Sequence, residues 1–361
     1  PGTNVLDVTV KTAKSFGLQI TLDNGRVPSV GTFERNLQLT EANLTGNGDR
    51  LSGIYRNTDG SNDIDFSYTL PTNPRNGTLE LGYRRIWSEV IEEPFDVLNI
   101  DSDYERFKLA FRQPVIQTPN QELALGISLE RQSSQTFLMN TPFPLSPGAD
   151  IEGQTKVSTL RFFQEWTDRS EREVFAARSE FNFGLDIFGA TTAFDASGNA
   201  DAPDTSYFSW RGQAQWVRLL APDMLLVART DMQFADRPLV SLEQFAIGGL
   251  GSVEGYRQDL LLTDNGVFAS VEVRLPIFRA PEQQIVLQVI PFVNFGAGWN
   301  NNGTTNPDPN TLASVGLGLQ FQQSDRLSAR FDWGIPLVDV ESTGNTLQED
   351  GFYFTVIYRP F

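Results

Sequence analysis

Asp63-Ile64-Asp65-Phe66-Ser67-Tyr68-Thr69-Leu70 decides the fold. Side chains alternate across a β-strand, so Ile64, Phe66, Tyr68 and Leu70 share one face and the acids and hydroxyls the other. The same two-faced pattern recurs along the chain. Phe175, Ala177, Phe181, Phe183, Leu185 and Ile187 oppose Arg178, Glu180, Asn182 and Asp186. Phe208, Trp210, Ala214 and Trp216 oppose Ser209, Arg211, Gln213 and Gln215, and Leu327, Ala329, Phe331, Trp333 and Ile335 oppose Ser328, Arg330 and Asp332. Two architectures fit: a soluble β-sandwich or propeller with one wet face, or a membrane barrel with lipid outside and water inside. Segment length favours the barrel. Ordinary strands average about five or six residues, whereas a tilted spanning strand needs about nine to eleven.

The pattern places strands near 16–23, 31–40, 50–58, 62–71, 78–87, 103–113, 121–132, 155–167, 172–188, 205–219, 223–235, 266–277, 285–299, 313–323, 325–336 and 351–361. The expected fold is all-β, a 16-stranded antiparallel transmembrane β-barrel, and an even number suits single-chain bacterial barrels. Leu220-Ala221-Pro222-Asp223 and Gln323-Ser324-Asp325 read as tight turns, while 139–154, 188–205, 236–265 and 299–312 read as long loops rich in Gly, Pro and Asn. Short turns on one rim and long loops on the other are barrel topology.

Hydrophobic residues make up 40% of the 361, with no run long enough for a spanning helix. A polar lumen accounts for that modest figure. No composition shift divides 16–361, which reads as one domain. The chain has no cysteine and no histidine, which removes thiolate and imidazole metal sites and Ser-His-Asp chemistry; no metal or cofactor is expected. A net charge of -17 argues against nucleic acid as a partner. Much of that acid falls in stretches such as 88–103 and 346–350, where solvated loops explain most of it and calcium or polysaccharide contact is the alternative. Residues 1–10 carry no signal-peptide pattern, so the chain reads as a mature fragment with upstream sequence missing.

The longest loop contains Gly248-Gly249-Leu250-Gly251-Ser252-Val253-Glu254-Gly255-Tyr256-Arg257-Gln258, and the strand after next contains Phe292-Val293-Asn294-Phe295-Gly296. Parity sends Phe292, Asn294 and Gly296 to the same face, with Leu287, Val289, Val293 and Trp299 opposite. A phosphate-binding reading of the glycines fails, because neither a Walker A nor a G-x-G-x-x-G pattern is present.

These paired motifs, in this order, resemble the sixth-loop and Phe-x-Asp-x-Gly motifs of the BamA-type outer-membrane superfamily. Within it the chain is similar to the TpsB transporters of two-partner secretion, the ShlB/FhaC-like haemolysin secretion/activation family. Pro1-Gly2, Leu22-Asp23-Asn24, Gly31 and the stretch from Ala42 to Asp49 are similar to a TpsB barrel opening, with 1–15 as the end of a linker from upstream POTRA domains. The resemblance implies a long loop folded into the lumen, its motif arginine pairing with the strand-motif aspartate. Here those positions are Glu254 and Asn294, so the charge-assisted pair is lost; Arg257, Arg330 or Arg274 are the candidates to satisfy Glu254 instead. Arg178, Arg211, Glu272, Arg274, Arg330 and Asp332 are expected to form a lumen polar network, which lipid exclusion of charge alone would also explain. The aromatic terminus, Phe361, resembles the C-terminal recognition signal of outer-membrane proteins, with Pro360 breaking the alternation before it.

The implied function is an outer-membrane transporter that passes an unfolded, secreted client polypeptide through its barrel, without covalent chemistry. Its implied partners are outer-membrane lipid, the client, upstream POTRA domains of the same protein and, during biogenesis, the barrel-assembly machinery. A BamA-type insertase and a simple diffusion pore are the alternatives, with a soluble lectin-like sandwich a fourth.

Overall fold

The computed structural model describes residues 14–191, 203–301, 305–341, 344 and 346–361. Residues 1–13 of the expected linker lie outside the described residues, as do parts of the loops 188–205 and 299–312. Sixteen strands form the wall. In chain order they are β1 (Phe16–Asp23), β2 (Glu34–Ala42), β3 (Arg50–Asn57), β4 (Ser61–Pro71), β5 (Thr78–Glu89), β6 (Ile100–Gln117), β7 (Gln121–Leu138) and β8 (Gln154–Arg169). There follow β9 (Glu173–Leu185), β10 (Phe208–Ala221), β11 (Met224–Ala235), β12 (Asn265–Ala280), β13 (Ile285–Trp299), β14 (Thr311–Gln323), β15 (Leu327–Pro336) and β16 (Phe352–Tyr358). Each pairs antiparallel with the next, and β16 pairs back to β1, closing the cylinder.

All sixteen expected strands are present, with shifted ends. β6 and β7 run to 18 residues each, because their pairing begins at Ile100↔Leu138, so that 100–103, which had read as loop, belong to β6. β9 stops at Leu185, leaving Asp186 and Ile187 outside it. β16 stops at Tyr358, so the terminal Phe361 is not a strand residue; it packs instead on Phe16 of β1, ring centroids 5.8 Å apart.

The alternation behaves as lipid and water demand. Phe66 and Leu317, on the outer face, are 50% and 51% exposed, alongside Phe107, Ile127, Val293, Phe331 and Trp333. A water-soluble sheet would cover such a band; a bilayer solvates it. The opposite parity holds ion pairs: Arg56 and Arg84 on Asp63, Arg112 on Glu165, Arg211 on Asp231.

The rims differ. Seven short turns face one way, and eight connections, including every long loop, face the other. Those eight connections hold twenty acids against three arginines, a balance of −17 that equals the charge of the whole chain, so the wall, turns and chain ends together sum to zero.

The wall has one thin place. β6 and β7 share seventeen registered pairs, whereas β1 and β16 share four, from Ile20↔Tyr358 to Asp23↔Thr355. Side chains supplement that seam. Asn24, buried beside it, donates to the Phe352 carbonyl and accepts from the Phe354 N–H, both at 2.9 Å, and Arg359 reaches Gln19 at 2.8 Å.

Candidate functional site: a loop strapped across the lumen

The connection between β11 and β12 does not project outward. Its two limbs pair as a small ribbon, Phe245–Ile247 against Leu261–Thr263. Phe245, Ile247, Val253, Tyr256 and Leu261 then bury against Phe268 of β12 and Leu312 of β14. A loop this apolar has to find a dry surface, and within a hydrated barrel the inner wall of β12–β16 supplies it. Arg211, one of the expected lumen residues, lies over the Phe245 ring, 5.5 Å from its centroid.

At the tip, shape and neutral hydrogen bonds replace the charge pair of the motif. Gly255 adopts φ +106°, a region open to glycine at little cost. Its N–H donates to the Tyr353 hydroxyl at 2.9 Å, and that hydroxyl donates to the Tyr256 carbonyl at 2.5 Å. The Tyr256 hydroxyl donates to the Ala313 carbonyl at 2.8 Å and accepts from the Val338 N–H at 3.1 Å. Gly296 of the strand motif leaves the space that Ile247 and Val253 fill: a Cβ there would lie 2.5 Å and 2.9 Å from their methyl carbons. Phe292 and Asn294 are buried on the same inner face, as parity required.

Glu254 and Asn294 do not join: among the described residues no hydrogen bond links them. Arg257 does not serve Glu254 either. It turns to the loop rim, 2.7 Å from Glu92 and 3.4 Å from Glu349. Arg274 is taken by Glu272 at 2.6 Å. Arg330 bridges Glu272 at 3.1 Å and Asp332 at 2.7 Å, and feels Glu254 only through space. Burial pushes the Glu254 carboxyl up to about 8, and the Asp332 carboxylate adds to that, while Arg330 and Arg229 act the other way.

The expected polar network is divided rather than continuous. Glu272, Arg274, Arg330 and Asp332 form one cluster on β12–β15. Arg178 belongs to another, meeting Glu165 and Glu180 at 2.5 Å each, and Arg211 stands apart from both on Asp231 at 2.7 Å. Between the second cluster and the loop tip remains a cavity of about 590 Å³, lined by Arg112, Arg178, Arg229 and Asp231 on the wall and by Leu250, Ser252 and Asp259 on the loop.

Sequence reasoning missed Tyr353, Arg229 and a stem contact from Glu243 to Arg161. Tyr353 had a signal: it is the polar-tipped aromatic at the inward parity of the last strand. The stem contact had none, because its partners are 82 residues apart.

A sixteen-stranded barrel with a glycine-rich loop folded against its inner wall is the frame on which likeness can be judged. The family model described as haemolysin secretion/activation protein ShlB/FhaC/HecB matches residues 2–321. The chain belongs to that family. Among relatives of this ShlB/FhaC/HecB member, the outer membrane transporter CdiB of Dickeya dadantii is 21% identical over 287 residues, 78% of this chain and 50% of that protein. The chain thus spans about half the length of that curated relative. In structure it is similar to CdiB from Escherichia coli, with TM-score 0.79 at 18% identity over 97% of this chain and 64% of that one. It also resembles BamA from Haemophilus ducreyi lacking POTRA domains 1–3, with TM-score 0.67 at 14% identity over 97% of this chain and 71% of that one. Both likenesses concern the fold.

Proposed function

We propose that this barrel is the membrane part of an outer-membrane transporter that passes an unfolded, secreted polypeptide through its lumen. The observation that carries the reading is the loop strapped across an otherwise aqueous conduit, in a chain of the haemolysin secretion/activation family. Membership in that family and likeness to proteins named outer membrane transporter support it. The wall's overall charge balance suits passage of a polypeptide whose own charge varies along its length, since no single sign is favoured. Residues 1–15 are assigned as the end of a linker from upstream POTRA domains that deliver the client, and the barrel-assembly machinery would place the chain in the membrane. No covalent step, metal or cofactor is assigned. Glu254, Tyr256 and the strand motif Phe292, Asn294 and Gly296 are assigned to holding the loop; Arg178, Arg211, Glu272, Arg274, Arg330 and Asp332 to lining the conduit; and Phe361 to assembly.

The test replaces 249–258 by a short Gly-Ser link in the full-length protein and measures planar-bilayer conductance and client release into the medium. Transport through the lumen predicts a larger, steadier conductance and lost or leaky secretion. Conductance unaffected by the deletion would point to a simple pore instead.

The four-pair seam between β1 and β16 favours a second reading, an insertase that receives a foreign strand at that edge. Cysteines introduced at Thr21 and Ile357, opposite each other across the seam, distinguish the two. Oxidising them leaves secretion intact if the client crosses the lumen and abolishes activity if the seam must open.

A further inference from the structure

The family's charged anchor is absent at Glu254 and Asn294, yet a charged anchor exists elsewhere in this loop. Glu243 sits in its first limb, in the 3-10 turn Ser241–Glu243. Its carboxylate takes Arg161 of β8 at 2.9 and 3.0 Å and Gln132 of β7 at 2.6 Å. Its backbone carbonyl accepts from Gln233 of β11 at 2.9 Å. Arg161 and Glu243 are only 14% and 6% exposed at the side chain, so the pair is a desolvated one. The wall prepares Arg161 for it. Asn182 accepts from the guanidinium at 2.8 Å, Glu130 lies 3.5 Å and Glu180 3.7 Å away, and Tyr104 orients Gln132 at 2.8 Å.

We infer that Glu243 and Arg161 are positioning residues that hold the loop as a strap, tying its stem to the β7–β9 wall while its tip rests on β13–β16. The polarity is the reverse of the motif pair: here the acid is on the loop and the arginine on the wall. The exchange follows from the surroundings. One arginine facing three carboxylates is a site that holds an acid in place only while the arginine remains, so each partner is costly to remove alone. The inference rests on the transporter reading only for its consequence, since the tie itself is a matter of loop position.

The chain contains no cysteine, so a single Ser252→Cys reports the loop tip cleanly. The test puts Glu243→Gln, Arg161→Gln and the exchange Glu243→Arg with Arg161→Glu into the full-length, membrane-inserted protein. It measures maleimide labelling of the thiol introduced at position 252 from the loop side and single-channel conductance, neither of which needs a client. The exchange keeps one guanidinium among three carboxylates. Arg161→Gln leaves three carboxylates without their cation in a dry site and is expected to raise labelling and the conducting fraction by about tenfold or more; Glu243→Gln leaves Arg161 with Glu130 and Glu180, removes only the loop's charged tie, and should raise both by about fivefold. The exchange should return both to within about threefold, as a coupled pair does. Single variants indistinguishable from the parent, or singles that shift without recovery in the exchange, would overturn the strap. Should Arg161→Gln fail to give the compact, heat-modifiable barrel, Glu243→Gln alters only the loop side and carries the same comparison. Raised labelling in the single variants with secretion unchanged would count against the transport reading and leave the tie standing.

Discussion

The two ends of the lumen loop are held by different chemistry. At the stem, Glu243 is fixed by Arg161 and Gln132, a charge-assisted set enclosed by β7–β9. At the tip, Glu254 makes no direct ion pair among the described residues, and Gly255, Tyr256 and Tyr353 carry the contact through shape and neutral hydrogen bonds. The wall explains the contrast. β7–β9 offer an arginine among acids, whereas β13 and β15 offer glycines at 296 and 334 that let the loop's methyl groups and backbone approach closely. Charge gives the stem direction and strength, and close packing gives the tip a surface from which it can part without exposing a lone charge.

The largest effect should come from breaking the stem. Arg161→Gln, which strands three carboxylates, is expected to weaken loop docking by about 3–5 kcal/mol, and Glu243→Gln, which leaves Arg161 with Glu130 and Glu180, by about 1–2 kcal/mol, both read from labelling at position 252. Making the tip resemble the stem is the second comparison. Glu254→Arg with Asn294→Asp would create a charged pair at the motif positions and strengthen docking by about 1.5–3 kcal/mol if their geometry matches that at Arg161, read as reduced channel noise; unchanged noise would show that the two positions do not face each other. Closing the tip's space is the third. Gly296→Val drives a side chain into Ile247 and Val253 and should cost about 1–3 kcal/mol of docking, with thermal stability of the barrel itself unchanged.

The smallest effect separates the ends by pH. Glu254 has its carboxyl raised from an ordinary 4.5 to about 8 in the docked loop. A docked state that retains a proton the released loop gives up is favoured at low pH. Docking at the tip is therefore strongest below about 4.5, weakens as pH rises towards 8, and levels off above it. The conducting fraction in planar bilayers should increase a few-fold from pH 6 to pH 9, and Glu254→Gln should flatten the profile. A slope that persists in that variant would place the titrating group elsewhere.

The fold was legible because a strand's period of two is a local property, and lipid and water each select one parity: Phe331 and Trp333 outside, Arg330 and Asp332 inside, as the alternation required. The paired motifs were equally legible, and Val253 does meet Gly296. Which groups those motif residues would bond was not. Arg257 turned to Glu92 and Glu349 because the tip carries it to the loop rim, and Phe361 left the strand because β16 ends at Tyr358 while its ring still finds Phe16.

By itself, then, the sequence determined that this chain builds a two-faced wall of sixteen strands and a glycine-rich loop to set against it, because alternation and backbone freedom are written residue by residue. Only the tertiary structure decided where that loop is tied. Arg161 and Glu243 become neighbours through the closure of the barrel and the inward fold of one connection, and pairing across 82 residues leaves no periodic trace in the chain.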